Sequence, residues 1–355
     1  MNYIEINGRR IGAGHPIYII AEMSANHGQD FERAVKILEA AKEAGADAVK
    51  LQTFTPDTHT LKSDLEYFRI DGGTPWDQRT LYDLYTEAYM PWEWQPKLMK
   101  VAQELGLDLF STAVDPSGVD FLERMGVAIH KTASFEIVDL ALIEKMARTG
   151  KPLVLSTGMA TLAEIEEAVG TARDAGATQI ALLKCTSAYP APPEEMNLRT
   201  LPHLSETFGV PVGLSDHTLG IAVPIAGIAL GVSIIEKHFT VSRAMRSPDS
   251  SFSLEPHELK AMVDAVRTAE KALGTVHYGV SNRESRNRVF RRSLFVVEDV
   301  KTGDLLTSAN VRSIRPGYGL LPRYLKQVLG RHAVCDTKKG TPLSWDIIAG
   351  RRSDK

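Results

Sequence analysis

The sequence has 355 residues and a formal net charge of −3 at pH 7, with an otherwise ordinary composition. A chain of this length can form one large domain and a small one. The near-neutral charge argues against a protein dedicated to binding nucleic acids or membrane surfaces. Only two cysteines occur, Cys185 and Cys335, which excludes a disulfide framework and fits the reducing cytoplasm.

The N-terminal segment contains no apolar stretch of the kind that a secretory signal peptide needs. It includes Asn7-Gly8, a dipeptide that favours a β-hairpin turn. The most apolar stretch, residues 221–235, contains Pro224 and is too short to span a bilayer. We therefore expect a cytoplasmic globular protein with no membrane partner.

From residue 17 to about residue 274, short apolar runs alternate with segments that have helical periodicity. The apolar runs are predicted to be strands, at residues 18–23, 48–54, 108–113, 128–134, 153–159, 180–186, 212–217 and 234–239. Predicted helices follow most of them, as at residues 31–44, 91–105, 162–175 and 256–273. Glycines typical of helix C-caps stand where the helices should end, at Gly45, Gly106, Gly126, Gly150, Gly176, Gly209 and Gly231.

Eight strand–helix units in roughly 250 residues predict an α/β fold, the TIM (β/α)8 barrel. An open, doubly wound sheet is the alternative, but no Gly-x-Gly-x-x-Gly turn follows the first strand. We assign residues 1–275 to a barrel domain with an N-terminal hairpin and residues 276–292 to a linker rich in arginine. Residues 293–355, with short runs typical of strands and turns, form a small C-terminal domain.

The carboxyl ends of the strands form the active face of a TIM barrel. Here each predicted strand ends in ionisable or hydroxyl side chains. Lysines near a barrel interior are costly unless they meet an anion. Lys50, Lys131 and Lys184, with serine and threonine hydroxyls around them, therefore indicate a phosphate or carboxylate ligand. The alternative is that these lysines only pair with neighbouring carboxylates such as those of Glu22, Glu136 and Glu236.

His217 and His238 close the last two predicted strands. Two imidazoles on successive strands could converge on one divalent cation as neutral nitrogen ligands. The alternative for each is a hydrogen-bonded structural histidine. Asp216 could ligate the same metal, but orienting His217 or capping the next helix is favoured. Cys185 is interpreted as a small, buried side chain.

Glu22 stands at the end of the first predicted barrel strand, in the segment AEMSANH at residues 21–27. A carboxylate at that place could act as a general base on a water or hydroxyl within hydrogen-bond reach. The structural alternative is an ion pair with a neighbouring lysine.

Several of these segments together resemble the sialic acid synthase family. They are AEMSANH (21–27), VKLQT (49–53), HKTASFE (130–136), LSTGM (155–159), GLSDHT (213–218), EKHFT (236–240) and SLEP (253–256). The resemblance implies condensation of phosphoenolpyruvate with an amino sugar to give a nine-carbon nonulosonic acid. It also implies a divalent metal, Mn²⁺ or Mg²⁺, held by His217 and His238. Two histidines without cysteine suit these ions better than a closed zinc site.

The resemblance also assigns roles to individual residues. Positions that hold phosphoenolpyruvate in the family are matched by Lys50, Thr112, Lys131, Ser134, Ser156, Ser187 and Ser215, although the family often has Asn at the position of Ser187. Glu22 matches the proposed base, Glu136 and Tyr189 line the site, and Asp249 matches an acid that contacts the sugar.

Two segments look like the pseudaminic acid synthase branch of this family. The family's Gly-Pro-Asp-His is Ser247-Pro248-Asp249-Ser250 here, followed two residues later by Phe252, and the segment at residues 80–94 is also distinctive. This branch implies 2,4-diacetamido-2,4,6-trideoxy-L-altrose as the sugar. Loss of the imidazole and gain of Phe252 fit a more apolar, 6-deoxy sugar. Aromatic residues could stack on it, but at helical spacing they more often belong to the core: Tyr82, Tyr85, Tyr89, Trp92 and Trp94.

The C-terminal region resembles the antifreeze-like module of the same family, a SAF domain of the β-clip type. In the family, an arginine in the motif matched by RSIRPG at residues 312–317 reaches the active site of the partner subunit. Arg315 is our candidate for that role, which implies contact with the sugar and a domain-swapped homodimer. Its structural alternative is a surface arginine beside a turn.

Three other functions stay open. An N-acetylneuraminate or legionaminate synthase would use the same chemistry on another sugar. A different metal-dependent TIM-barrel aldolase or hydrolase would not need the lysine and hydroxyl set. A carbohydrate-binding protein without activity would not need His217, His238, Lys50 and Lys131 to converge.

Overall fold

The computed structural model describes residues 3–350. Two compact units divide the chain, Met1–Gly274 and Thr275–Lys355. Residues 1–2 and 351–355, which belong to the N-terminal segment and to the predicted C-terminal domain, lie outside the described residues. None of the helices between residues 3 and 350 has the length and apolar character that crossing a membrane requires.

Eight parallel strands close into a barrel in the first unit, in the order β10-β3-β4-β5-β6-β7-β8-β9. They are β3 (Tyr18–Glu22), β4 (Ala48–Thr53), β5 (Asp108–Ala113), β6 (His130–Thr132), β7 (Leu153–Ser156), β8 (Ile180–Cys185), β9 (Val212–Asp216) and β10 (Ile234–His238). The predicted TIM barrel is confirmed. Several strands end one to three residues earlier than predicted; after β7, for example, Gly158 turns the chain at a φ of +49°.

Ten helices are described in the first unit and two in the second. They are α1 (Phe31–Ala44), α2 (Pro56–His59), α3 (Leu81–Ala88), α4 (Gln95–Leu105), α5 (Pro116–Met125), α6 (Leu140–Ala147), α7 (Leu162–Asp174), α8 (Thr200–Phe208), α9 (Ala222–Ile228), α10 (Pro256–Leu273), α11 (Asn282–Ser285) and α12 (Leu325–Val328). The predicted helix at 91–105 begins later, at Gln95, because Trp92–Trp94 form a 3-10 turn.

The glycines predicted at helix ends lie in the left-handed region. Gly45, for example, has a φ of +90° and its N–H donates to the last carbonyls of α1. Helix starts are capped as well: the side chain of Asp30 accepts from the N–H of Arg33, and Thr161 and Glu164 form a capping box. Local sequence therefore sets both ends of these helices.

A hairpin covers the amino-terminal end of the barrel. Its strands are β1 (Tyr3–Ile6) and β2 (Arg9–Gly12), joined at the predicted turn, where Asn7 and Gly8 both have positive φ. Its apolar side chains Ile4, Ile6 and Ile11 are buried, and its polar groups bond to residues at the starts of three barrel strands: Asp47, Asp108 and Gln179. The opposite, carboxyl end of the barrel is left for the functional site.

The second unit has its own small core. The strands β11 (Ser293–Val296) and β12 (Val311–Ile314) pair antiparallel, and Leu294, Val296 and Val311 are buried between them and their neighbours. The predicted linker contains α11 and a 3-10 helix at Arg286–Phe290, neither with a buried residue. Short strands and turns dominate the rest of this unit, as the sequence predicts.

Candidate active site

A buried lysine joins two carboxylates at the carboxyl ends of the barrel strands. Lys50 Nζ lies 3.1 Å from Glu22 Oε2 and 3.1 Å from Glu236 Oε1, and it donates to Thr112 Oγ1 at 3.1 Å. Strand register explains this convergence, because His238 pairs with Glu22 and Glu22 with Lys50 across β10, β3 and β4. All of these side chains are buried.

Burial and neighbouring charges shift the pKa values of Glu22 and Lys50 in opposite directions. Burial raises the pKa of Glu22 to about 7, although Lys50 acts to lower it. Burial alone would lower the pKa of Lys50, but Glu22 and Glu236 together raise it above the ordinary value. Lys50 is therefore a permanent cation, and Glu22 is the carboxyl that exchanges a proton near neutral pH.

Lys131 is a buried cation without a carboxylate partner. Its Nζ donates to Ser156 Oγ at 2.7 Å and to the carbonyl oxygen of Thr132 at 2.8 Å, and no carboxylate oxygen within residues 3–350 pairs with it. Burial lowers the pKa of Lys131 to about 8. A buried amino group that has no carboxylate partner favours the binding of an anion.

Hydroxyl groups from five strand ends surround the two lysines: Thr112, Ser134, Ser156, Ser187 and Ser215. Ser187 Oγ donates to Ser134 Oγ at 2.8 Å, and Ser215 Oγ donates to Glu236 Oε1 at 3.4 Å. Gly158 is needed beside them, since a Cβ there would lie 2.4 Å from Ser134 Cβ and 2.8 Å from Ser187 Oγ. Lysines and hydroxyls thus form one polar surface suited to a small, highly charged anion.

The two predicted metal ligands lie side by side, with ring centroids 5.3 Å apart. His217 Nδ1 lies 2.8 Å from the carbonyl oxygen of Thr186 and must donate to it, so in the neutral ring Nε2 is the nitrogen that carries the lone pair. His238 Nδ1 is buried without a hydrogen-bond partner, 3.9 Å from Asp249 Oδ2. Burial, followed by the nearby His217, lowers the pKa of His238 and keeps its ring neutral.

This pair fits a metal that takes most of its ligands from water or substrate. In the described part of the chain, no group of three or more His, Cys, Asp or Glu side chains is arranged around a common metal position. Asp216 is directed elsewhere: it bonds to Lys237 and to the N–H and hydroxyl of Thr218. Two imidazoles, which bind a metal ion in their neutral form, with open positions beside them suit Mn²⁺ or Mg²⁺.

Three of the residues predicted to contact a sugar lie beside the histidines: Tyr189, Asp249 and Phe252. The ring of Tyr189 lies 4.3 Å from that of His217, and the ring of Phe252 lies 5.1 Å from that of His238. Asp249 is buried and accepts hydrogen bonds from the hydroxyl of Ser24 and the N–H of Ala25.

Glu136 is half-buried on the lysine side of the site. Burial raises its pKa, and Lys131 followed by Lys50 acts to lower it, so this carboxyl lies within the field of both cations.

Gln52 and Trp76, to which the sequence assigned no role, join the site, together with Glu236, which the sequence offered only as an alternative partner for the lysines. Gln52 Nε2 donates to Glu22 Oε1 at 3.0 Å and to Ser24 Oγ at 2.8 Å, which orients the glutamate. Glu236 shares Lys50 with Glu22. Trp76, from the long connection between α2 and α3, contacts Tyr189. Strand alternation could have indicated Gln52 and Glu236, but no sequence pattern indicated Trp76.

Lys184 does not belong to the cation cluster, contrary to the sequence-based prediction. Its Nζ donates to the carbonyl oxygen of Cys185 at 2.6 Å and to Thr186 Oγ1 at 3.1 Å. Side chains alternate along β8, so the inward position belongs to Cys185. This cysteine is buried, and its Sγ lies 3.9 Å from His217 Nδ1.

The aromatic residues at 80–94 make no described ring contact with His217, His238, Tyr189 or Phe252. Their ring partners are Phe54 and His59 for Tyr85, Phe121 for Trp92, and His27 and Phe31 for Trp94. Tyr82 bonds to Asp57 through its hydroxyl. These side chains are half-buried, and burial followed by the charge of Glu136 raises the pKa of Tyr85. Arg315 lies in the second unit, directly after β12, and is exposed.

Comparison with known proteins adds independent findings. The model of the NeuB family matches residues 37–278, and that of the SAF domain matches residues 291–349. A pseudaminic acid synthase from Helicobacter pylori is 45% identical over 94% of this chain and 98% of its own. An N,N'-diacetyllegionaminic acid synthase from Legionella pneumophila is 35% identical over 97% and 98%.

Solved structures show a similarity to the same group of synthases. The crystal structure of N-acetylneuraminic acid synthetase from Leptospira borgpetersenii, in complex with citrate, superposes with a TM-score of 0.72 at 30% identity. The superposition covers 80% of this chain and 94% of that one. The resemblance to the sialic acid synthases is therefore confirmed, and the chain belongs to the NeuB family and carries a SAF domain.

Proposed function

We propose that this chain is a pseudaminic acid synthase. It condenses phosphoenolpyruvate with 2,4-diacetamido-2,4,6-trideoxy-L-altrose and water to give pseudaminic acid and inorganic phosphate, which makes it a transferase. The observation that carries the proposal is the pair of buried cations, Lys50 and Lys131, beside the histidine pair. The free thiols of Cys185 and Cys335 suit a cytoplasmic location.

Phosphoenolpyruvate binds on the lysine side of the site. Lys131, which has no carboxylate partner, and Lys50 neutralise its phosphate and carboxylate groups. The hydroxyls complete the contacts through Thr112, Ser134, Ser156, Ser187 and Ser215. Because these groups are already held by one another, they lose little freedom when the anion binds.

The sugar binds on the histidine side. Tyr189, Asp249 and Phe252 surround that space, Glu136 contacts the sugar from the lysine side, and Asp249 is a buried acceptor for a sugar hydroxyl or amide N–H. A Mn²⁺ or Mg²⁺ ion held by His217 and His238 would polarise the aldehyde oxygen as a Lewis acid.

The reaction joins the methylene carbon of phosphoenolpyruvate to the aldehyde carbon of the open-chain sugar. Water then adds to the carbon that carries the phosphate ester, and the C–O bond to phosphate breaks. Glu22, oriented by Gln52 and next to Lys50, takes the proton that water loses. Lys50 and Lys131 stabilise the negative charge that leaves with phosphate.

Another nonulosonic acid synthase activity is the nearest rival. The relative named for legionaminic acid is more distant, at 35% identity, than the relative named for pseudaminic acid, at 45%. A buried Phe252 in place of further polar groups also favours a 6-deoxy sugar.

A substrate panel separates these activities. Purified protein with phosphoenolpyruvate and Mn²⁺ is expected to release phosphate rapidly with the 2,4,6-trideoxy-L-altrose sugar and slowly or not at all with N-acetylmannosamine. Phosphate release and the mass of the product are the measurements. Phosphate with none of the candidate sugars would contradict the synthase activity, and phosphate with N-acetylmannosamine alone would contradict the choice of sugar.

A matched pair of variants distinguishes metal ligand from base. His238→Ala is expected to lose binding of Mn²⁺, measured by calorimetry without substrates, because one of two protein ligands is gone. Glu22→Gln is expected to bind Mn²⁺ as the wild type does while kcat falls by about 100-fold or more. Unchanged Mn²⁺ binding in His238→Ala would remove this residue from the metal site, and unchanged kcat in Glu22→Gln would exclude the glutamate as base.

We also propose a domain-swapped homodimer in which Arg315 contacts the sugar bound to the partner's barrel. The support is the family relationship and the exposed position of Arg315 in the SAF domain. Arg315→Ala and His238→Ala are each expected to be nearly inactive alone. Co-expressed with separate tags and purified as the mixed dimer, they are expected to recover about half of wild-type activity, since one of the two sites in a mixed dimer is intact. No recovery in the purified mixed dimer would contradict contact between subunits.

A further inference from the structure

One aromatic side chain from a long surface loop reaches the candidate active site. Residues 60–80 connect α2 to α3, and most of them are exposed, including Tyr67 at 90%. Trp76 is half-buried: its ring centroid lies 5.4 Å from that of Tyr189 and 6.3 Å from that of Phe252. Tyr189 and Phe252 are 5.4 Å apart, so the three rings form a contiguous surface, here called the aromatic wall.

The aromatic wall borders the histidine pair. Tyr189 contacts His217, and Phe252 contacts His238, as described above. Trp76 extends the wall away from the histidines, on the side where the far end of a sugar would lie if its aldehyde is near the metal. It has no role in the proposed chemistry.

The loop that carries Trp76 is held in a defined conformation. The carboxylate of Asp77 accepts hydrogen bonds from the N–H groups of Gly72, Gly73 and Thr74 and from the Thr74 hydroxyl. At the base of the turn, the N–H of Ile70 donates to the carbonyl oxygen of Arg79 at 2.9 Å. The turn that carries the indole of Trp76 is thus held together by its own hydrogen bonds.

Trp76 is also tied to the segment that carries two of the predicted sugar contacts. Its Nε1–H donates to the carbonyl oxygen of Pro248 at 2.9 Å, next to Asp249 and four residues before Phe252. This bond uses the only polar group of the indole. The ring itself therefore offers an apolar face and no hydrogen-bond partner for a sugar hydroxyl.

We propose that Trp76 is a specificity-determining residue for the sugar. With Tyr189 and Phe252 it forms an apolar subsite for the methyl end of a 6-deoxy sugar, where an added hydroxyl would lose its hydrogen bonds to water. This inference rests on the proposed function. A hydrophobic subsite discriminates against an added hydroxyl by about 100-fold at most, which sets the scale of the effect.

The test compares two sugars that differ only at C6, the 2,4,6-trideoxy substrate and its 6-hydroxy analogue. In Trp76→Ala, the KM for the 6-deoxy sugar is expected to rise about tenfold or more, and the preference in kcat/KM to fall about tenfold. The KM for phosphoenolpyruvate is expected to stay within about twofold, since that anion binds on the lysine side. Tyr67→Ala, on the same loop but exposed, is the matched control and should leave all these values unchanged.

Trp76→Phe keeps a ring and loses the N–H, so it separates the apolar face from the hydrogen bond to Pro248. It is expected to keep most of the preference for the 6-deoxy sugar, and it carries the test if Trp76→Ala does not fold. A preference unchanged in Trp76→Ala, or lost equally in Trp76→Phe, would overturn the apolar subsite. If the wild type itself releases phosphate with neither sugar, the proposed function fails and the inference fails with it.

Discussion

The structure depends on burying positive charge at the carboxyl end of a barrel. A lysine ammonium taken out of water costs several kcal/mol unless other charges compensate for it. For Lys50 the compensation comes from Glu22 and Glu236, which hold its pKa above the ordinary value. Lys131 has hydroxyl and carbonyl partners only, and burial lowers its pKa to about 8. An anion bound beside Lys131, as in the proposed function, would offset the cost of burying this charge.

The barrel arranges this site through strand register and alternation. Parallel pairing sets His238 beside Glu22, Glu22 beside Lys50, and Thr112 beside Lys131. The strand ends from β10 to β6, half of the barrel, therefore lead from the histidines to the lysines. Alternation sends Glu236 and His238 inward and leaves Lys237 to pair with Asp216. The nucleophile and the electrophile of the proposed reaction therefore bind at adjacent parts of a single face.

Much of the fold could be predicted from the sequence, because hydrophobic periodicity and helix caps are local signals. The eight strands, the hairpin at Asn7-Gly8 and the glycine helix ends all follow from a few neighbouring residues. Lys184 was misjudged because the apolar run does not define which alternate side chains face the barrel interior, and in β8 Cys185 takes the inward position beside His217. Trp76 could not be predicted at all, since its partners lie more than 100 residues away and no periodic pattern surrounds it.

Binding of phosphoenolpyruvate to Lys131→Met tests the central claim most directly. Calorimetry with phosphoenolpyruvate alone is expected to give a Kd about 100-fold higher than for the wild type, because a buried charged contact is lost. The variant should remain folded and at least as stable, since an unpaired buried charge is removed. Lys145→Met, at an exposed ion pair with Asp120, is the control and should bind as the wild type does. An unchanged Kd in folded Lys131→Met would contradict the account.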